Sequence, residues 1–454
     1  MTKASVPLPD IRIRETFGFG GCRWELVTNS HALAESVRWS LPAVDGTGAQ
    51  AFRLELQVDE GRGARRLESP YFRGRDHLVM AAYSNADAML FDLRRHFAAG
   101  RFSPGFAADR EYWRRVVVPV LIGVASAPAG IAPLHCATLV RGRRGLHIFG
   151  LSGAGKSTLS VALAKRGFAL LSDDWTYFSR QADSLWATGL PVPIKLLPEA
   201  RRFFPELAQH TPAPSLNGEL AFEVDPAETF QVRRLYSCQP GRVVSFQRIQ
   251  GAAPAWKRVS PDEVEGQLRP ALERIPGCLT RARSIQHQVI AELAQVPAYS
   301  LVCDGTPQEI ADEIIAWLDG ESECDDAAGH MPPSAPCDVP DLMRRFVPAP
   351  FAADFWLAGR RVRIDTDMAV VHEKAGHIAE LLSRRYRGQL HCTIIQDSAR
   401  CPDLSARTGN GCIYRAIAGL GCILAEESSG RVVAFISPAC AATTTTLESL
   451  VSPA

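Results

Sequence analysis

A single octapeptide dictates the local architecture in the middle of this chain. Gly150-Leu-Ser-Gly-Ala-Gly-Lys-Ser157 matches the pattern G-x-x-x-x-G-K-[ST]. Gly145-Leu-His-Ile-Phe149 before it reads as a short buried strand. Ser157-Thr-Leu-Ser-Val-Ala-Leu-Ala-Lys165 after it has helical periodicity and no breaker. Three glycines at 150, 153 and 155 let the backbone turn tightly and aim its N–H groups into one concavity. A helix that begins near Lys156 adds the positive end of its dipole to that anion site. The spacing predicts that Gly150, Ser152, Gly153, Ala154, Gly155, Lys156, Ser157 and Thr158 line a phosphate cradle. Lys156 would reach the β/γ-phosphates, and the Ser157 hydroxyl would be a Mg²⁺ ligand.

The next strong signal is a pair of carboxylates. Phe168-Ala-Leu-Leu-Ser172 reads as a buried strand ending in Asp173-Asp174, seventeen residues after Lys156. A strand that follows the loop's helix directly should end near the phosphates. Carboxylates there can hold a metal ion and accept the proton of an attacking hydroxyl. Two adjacent carboxylates also shift each other's titration, which suits a base beside a ligand. No N-K-x-D guanine-reading motif and no ABC signature accompany the loop, and the one later D-x-x-G, Asp326-Ala-Ala-Gly329, falls in a linker. Those classes are set aside.

Composition narrows the partners. The chain has 454 residues, enough for two or three domains, and 46% apolar with 22% charged residues is an ordinary globular balance. Fifty Lys plus Arg against 49 Asp plus Glu leave a net charge of +1, so nothing points to nucleic acid. Twelve scattered cysteines without any C-x-x-C favour free thiols in a reducing cytoplasm. His391, Cys392, Cys401, Cys412 and Cys422 are too widely spaced for the usual zinc pattern. The N-terminus lacks the apolar core of a signal peptide. The uncharged run Val116 to Val140 contains Pro119, Pro128 and Pro133. It therefore reads as a buried helix (about 112–126), a turn and a strand (about 134–140) rather than a membrane span. A soluble chain with no membrane partner is expected.

Four segments are expected: a β-rich part over 1–110 with a helical stretch near Ser84–Ala98, a mixed α/β body over 111–320, a linker over 321–340 and a C-terminal module over 341–454. The Thr306-Pro307 dipeptide is a sound helix start. The tail echoes earlier segments in three places. Gly21-Cys-Arg23…Thr28 returns as Gly359-Arg-Arg361…Thr366. Tyr112-Trp-Arg-Arg115 followed by an apolar helix returns as Tyr414-Arg-Ala-Ile-Ala-Gly-Leu-Gly-Cys-Ile-Leu424. Gly145-Leu-His-Ile-Phe-Gly-Leu-Ser-Gly-Ala154 returns as Gly430-Arg-Val-Val-Ala-Phe-Ile-Ser-Pro-Ala439. The module is either a truncated, degenerate second copy or an unrelated tail. Its counterpart of the loop, Ser437 to Thr443, has no lysine or glycine and should hold no triphosphate.

Leu134-His-Cys-Ala-Thr-Leu139, the loop from Gly150 to Thr158, and Lys165-Arg-Gly-Phe-Ala-Leu-Leu-Ser-Asp-Asp174 together resemble the catalytic domain of HPr kinase/phosphorylase and its wider set of related proteins. The resemblance is tight over about 130–180, looser over 185–318 and not evident in the first hundred residues. It implies an α/β fold with a phosphoenolpyruvate-carboxykinase-like P-loop kinase core on a mixed sheet. It also implies ATP- and Mg²⁺-dependent phosphorylation of a serine hydroxyl on a protein or peptide, and allows a homo-oligomer. In the family's pattern Asp173 would be the catalytic base, with Lys156 on the phosphates and Asp174 assisting the metal. His135 would lie near the reacting phosphate, although a histidine on an apolar strand is equally a satisfied core residue. Lys195 falls where relatives carry a substrate-facing lysine, or is a plain surface lysine. The segments tied to phosphorolysis have no clear match, Asn217-Gly-Glu219 and Pro240-Gly-Arg242 being poor substitutes. A nucleotide-sensing module without phosphotransfer and a small-molecule kinase are the alternatives.

Overall fold

The computed structural model describes residues 13–41, 51–59, 66–75, 77–126, 128–215, 218–272, 279–320, 349–386, 389–396, 404–407, 412–417, 421–426, 430–437 and 441. The expected linker and most of Ser437 to Thr443 lie outside them, as do Asn217 and Cys401. The chain divides into two compact units. One comprises 1–54, 93–97 and 108–341, the other 55–92, 98–107 and 342–454. The first 110 residues thus contribute to both.

The chain opens with a hairpin of β1 (Ile13–Phe19) and β2 (Cys22–Thr28), followed by helix α1 (His31–Ser40). Gly20 and Gly21 make the turn with φ of 59° and 74°, the conformation two-residue hairpin turns require. The Ser30 side chain caps α1 by accepting from the Leu33 N–H at 3.3 Å. Strands β3 (Ala51–Val58), β4 (Arg66–Arg75), β5 (Leu78–Ser84), β6 (Ala88–Asp92) and β7 (Phe97–Phe102) complete a sheet in the order β1-β2-β3-β7-β6-β5-β4. The helix expected near Ser84–Ala98 is therefore two strand segments and a turn. Asp87 closes the β5–β6 turn against the Ser84 hydroxyl and also accepts from the Ser103 N–H at 2.6 Å. Both faces of Ala88–Asp92 are buried, so an apolar run that also suits a helix is spent on a central strand.

The middle of the chain begins with α2 (Pro104–Ala107), α3 (Arg110–Tyr112), a π-turn over Trp113–Val117 and α4 (Val118–Ser126). It continues through β8 (Ala132–His135), β9 (Ala137–Arg141), β10 (Arg144–Phe149), α5 (Lys156–Lys165), β11 (Ala169–Ser172), β12 (Trp175–Gln181) and β13 (Ser184–Thr188). A small sheet follows, formed by β14 (Ile194–Leu196), β15 (Ala213–Pro214) and β16 (Leu220–Val224). Then come α6 (Pro226–Phe230), β17 (Ser237–Arg248), β18 (Ala255–Val259), α7 (Pro261–Ala271), α8 (Thr280–Ala294), β19 (Ala298–Cys303) and α9 (Pro307–Gly320). The main sheet runs β11-β9-β10-β17-β13-β12-β8, with β19 joining β17 and β18. It is mixed: β10, β17 and β19 are parallel neighbours and the other pairings are antiparallel. Helices α5 and α9 share an apolar core with one face, and α7 and α8 share another with the opposite face. The run Val116 to Val140 resolves into helix, turn and two strands, and no helix among the described residues is long and apolar enough to cross a membrane.

Helix ends in this layer follow local chemistry. Gly167, at φ 96°, ends α5: its N–H bonds the Ala164 carbonyl at 3.0 Å, and Phe168 N–H bonds Leu163 at 3.3 Å. This left-handed exit swings the chain straight back into β11. At α9, Thr306 and Glu309 form a reciprocal cap, with Thr306 N–H donating to Glu309 at 2.7 Å and Glu309 N–H to the Thr306 hydroxyl at 3.2 Å.

The C-terminal segment forms β20 (Phe351–Leu357), β21 (Arg360–Thr366), α10 (Ala369–Glu373), α11 (Ala375–Arg385), β22 (Leu390–Gln396), β23 (Leu404–Arg407), β24 (Cys412–Ile417), β25 (Gly421–Glu426) and β26 (Arg431–Ile436). Its order, β20-β21-β22-β26-β25-β24-β23, repeats the winding of β1 to β7 strand for strand. The opening hairpins match as well: seven residues per strand, with Ala358 and Gly359 at φ 50° and 74° where Gly20 and Gly21 stand. The first of the three sequence echoes falls on equivalent strands, β2 and β21. The other two do not. Tyr112 is helical whereas Tyr414 lies in β24, and Gly145–Phe149 is β10 whereas Arg431–Ile436 is the counterpart of β7. Pairing to β23 and β25 decides the state of 412–417, which local helical periodicity does not register. Within the second unit, Leu78, Met80, Ala82 and Leu90 form one apolar cluster with Ile395, Val433 and Phe435.

Gly189 links the main sheet to the chain above it. A Cβ there would stand 2.4 Å from the Leu171 carbonyl oxygen and 2.7 Å from the Leu171 side chain. Gly189→Ala should therefore destabilise the first unit by about 1–3 kcal/mol. A lowered urea midpoint at unchanged slope would show it; a wild-type midpoint would mean that β11 yields without cost.

Candidate active site

Strand β9 brings the sequence-predicted residues to one edge of the main sheet. Its first residues pair with the last of β10 (Ala137 with Ile148) and the last of β11 (Thr138 with Ser172). Both neighbours are antiparallel to it, so β10 and β11 run the same way and end side by side. Just before β9, β8 ends at His135, which pairs with Trp175 at the start of β12. Gly150, Asp173, Asp174 and His135 thus lie next to one another because each borders the start of one strand.

The loop after β10 turns through two left-handed glycines into a helix. Gly153 and Gly155 take φ of 78° and 93°, and α5 starts at Lys156 with Gly155 as its cap. Nothing lies within 4 Å of where a Cβ would stand at Gly153 or Gly155, so both glycines serve backbone conformation. Gly150 serves close packing instead: its Cβ would lie 2.5 Å from the Phe246 carbonyl of β17. Ser152 is exposed, while Ala154, Ser157 and Thr158 are half-buried. Lys156 is buried inside the loop, its Nζ donating to the carbonyls of Gly150 at 2.9 Å and Leu151 at 3.2 Å. Burial lowers its pKa below the ordinary lysine value, while Asp174, Cys136 and Asp173 pull it back up. A buried ammonium in a glycine loop at a helix start could hold the polyphosphate of a nucleotide.

The two carboxylates occupy different environments. Asp173 is 7% exposed, and its carboxylate accepts a hydrogen bond from Ser157. Burial, then the charge of Asp174, push its pKa up to about 7, against the Ser157 bond and the attraction of Arg234. Asp174 has 55% of its side chain exposed and pairs with His135 Nε2 at 2.6 Å. A proton-holding carboxyl near neutrality beside an exposed, oriented carboxylate could serve as an acid–base group and a cation ligand. Among the described residues no group of three His, Cys, Asp or Glu side chains converges on a metal position. Ser157 with Asp174 suits Mg²⁺, which takes one or two protein oxygens and completes its shell with phosphate and water.

His135 is a partly exposed ring in contact with Asp174, and it packs against Trp175 at 5.8 Å between centroids. Its Nδ1 is buried without a hydrogen-bond partner. Lys195 is turned to Glu219, forming an ion pair in the small sheet. Sequence reading did not single out Arg234. Its guanidinium donates to the carbonyls of Leu190 and Val192 at 3.0 Å each and lies within electrostatic reach of Asp173. Arg114 reaches the same stretch through the Pro191 carbonyl and pairs with Asp225. Neither arginine stands in a motif; only the fold brings residues 114, 190–192 and 234 together.

The raised pKa of Asp173 has a sign that can be measured. An unfolded aspartate loses its proton near 3.8, whereas the folded residue keeps it to about 7. Stability therefore falls as pH rises between those values, and the cost is complete above about 7. Asp173→Asn should raise stability at pH 8 by about 1–4 kcal/mol and leave it unchanged near pH 3. Urea denaturation at both pH values, without divalent cations, checks this; equal effects at the two would place the cause outside the ionisation.

No family model matches this chain, and no curated protein matches it. Among solved structures it is similar to the HPr(Ser) kinase/phosphatase from Coxiella burnetii, at 14% sequence identity and a TM-score of 0.25. That likeness covers 42% of this chain and 89% of the other.

Proposed function

We propose that this chain is a Mg-ATP-dependent kinase that transfers the γ-phosphoryl group to a serine hydroxyl of a protein or peptide. The observation that carries the reading is Asp173: a buried carboxyl with a pKa of about 7, hydrogen-bonded to the serine that follows the P-loop lysine. The loop amides from Gly150 to Thr158 and Lys156 would hold the phosphates, and Ser157 and Asp174 the metal. Bound Mg-ATP supplies the phosphoryl donor and the divalent charge that offsets the negative charge spread in transfer.

The chain's own groups do the rest. Asp173 accepts the proton of the acceptor hydroxyl at a carboxylate oxygen, which its pKa makes available at neutral pH. Lys156, already desolvated, is a fixed cation that needs no reorganisation when charge develops near it. His135 donates from Nε2 to Asp174 and fixes the orientation of that carboxylate. Arg234 is held by the Leu190 and Val192 carbonyls, and its charge favours the ionised form of Asp173. Serine as the acceptor follows from the sequence resemblance over about 130–180.

Lys156→Ala should abolish transfer and weaken ATP binding at least about tenfold, the loss of one charge-assisted contact. Asp173→Asn should abolish transfer and leave ATP affinity within a few-fold of wild type. γ-labelled ATP incubated with wild type and with each variant in a lysate of the source organism, alongside calorimetric ATP titration, reads both. Label appearing in protein with the Asp173 variant would remove the base assignment, and no label with wild type despite tight binding would remove the kinase reading.

A further inference from the structure

Beneath the carboxylates lies a fully buried set of hydroxyls that the reaction itself does not use. Thr138 and Thr176 lie 2.8 Å apart through their hydroxyls, and Ser172 lies 3.0 Å from Thr176. Thr176 donates to the Cys136 carbonyl at 3.1 Å, and Thr138 stands 2.9 Å from His147 Nδ1. Thr138, Thr176 and His147 are wholly inaccessible, and Ser172 is nearly so. The segment at stake is short. Ser172 immediately precedes Asp173, Thr176 closely follows Asp174, and Cys136 follows His135.

Counting protons selects one direction for the bonds as the better satisfied. Each hydroxyl has one hydrogen and two lone pairs. The Thr176 hydrogen is spent on the Cys136 carbonyl, so Thr176 accepts from both Thr138 and Ser172. The Thr138 hydrogen is then spent on Thr176, so Thr138 accepts from His147, whose Nδ1 must carry the proton. In the reverse assignment Thr176 donates to Thr138 and Thr138 donates to His147. Ser172 would then either serve Thr176 at 3.0 Å, which takes both hydroxyl hydrogens away from the Cys136 carbonyl, or serve that carbonyl at 3.4 Å, which leaves two hydroxyl oxygens facing each other with no hydrogen between them. The reverse assignment would also bury an Nε2–H with no partner, since His147 Nε2 meets none. Burial keeps the ring neutral, its pKa lowered to about 3. Packing holds it edge-on to Phe178 at 4.9 Å, and any Cβ at Gly145 would come within 2.8 Å of its Cε1.

We infer that His147, Thr138, Thr176 and Ser172 form a proton-ordered chain, begun by a neutral Nδ1–H histidine, that positions Asp173-Asp174 against the P-loop. They are positioning residues. The chain ties the ends of β8 and β11 and the starts of β9 and β12 to β10, the strand that launches the loop. Thr138→Val or Thr176→Val removes one link at nearly constant volume and leaves a neighbour without its partner.

The test has two arms. In protein carrying ¹⁵N-labelled histidine, with the His147 signals assigned through His147→Gln, two-bond proton–nitrogen correlation should show Nδ1–H from pH 5 to 9 in wild type. Thr138→Val should shift that ring toward Nε2–H. A wild-type Nε2–H ring would overturn the proposal, whatever the chain catalyses. The second arm reads positioning. Each valine variant should lower turnover roughly tenfold, the rate equivalent of one misplaced hydrogen bond, with metal-free ATP affinity unchanged. The double variant should be no worse than either single one, and Thr176→Ser should restore the rate. Because turnover rests on the kinase reading, the same variants are compared in the gain of ATP affinity that Mg²⁺ brings, which needs no acceptor and should shrink at least about fivefold. Folded variants that keep both wild-type turnover and the wild-type Mg²⁺ gain, or additive losses in the double variant, would overturn the positioning role. A wild type that binds Mg-ATP without transferring phosphate would refute the kinase reading and leave this test standing.

Discussion

The candidate site depends on the antiparallel pairing of β9 between β10 and β11. Two hydrogen-bonded neighbours that both run against one strand must run with each other, so the glycine loop and the carboxylate pair emerge at the same edge. A one-residue slip in either register would turn Thr138 to the opposite face and take Ser172, and with it Asp173, away from Ser157. The rest of the unit secures that register. Helices α5 and α9 cover one face of the sheet, α7 and α8 the other, and β17 anchors β10 through a parallel ladder so close that Gly150 has no room for a side chain.

How much of this was legible in the sequence differs from part to part. The loop, its strand and its helix are local: glycine conformations, a helix start and an unbroken aliphatic run specify them within a few residues, and the structure has each in place. The adjacency of Asp173 to the loop could also be read, because a short connection from α5 leaves β11 little choice of place. Arg234 and Arg114 were not readable. Their partners are the Leu190, Pro191 and Val192 carbonyls and Asp225, between 42 and 111 residues away, and backbone carbonyls leave no mark in a sequence. The helix expected over Ser84–Ala98 failed for a related reason. The apolar stretch Ala88-Met-Leu-Phe91 has the same composition whether it is buried on two faces of a strand or around a helix, and the Asp87 contacts that make the turn cross to Ser103.

The two seven-stranded sheets illustrate what preserves a winding. They share the strand order and the two-residue positive-φ turn of the first hairpin, while the sequence echo is confined to that hairpin. The turn at Ala358-Gly359 retains its geometry although one of its residues carries a side chain in the left-handed region. Burial alternation and strand register hold such a sheet without demanding particular residues. Two of the three echoes read from the tail joined unlike elements, because short apolar strings recur by composition alone.

Asp173 has one more effect, on the approach of a ligand. A carboxyl that keeps its proton to about pH 7 leaves this edge of the sheet one negative charge weaker on the acidic side of that value than on the alkaline side. An anion diffusing toward Lys156 and the start of α5 would meet less repulsion in the first state, and its encounter rate would rise accordingly. The form of Asp173 able to take up a proton exists only in the second. On the kinase reading proposed above, capture and chemistry would be set in opposition through the same oxygen atoms, with the balance close to neutral pH.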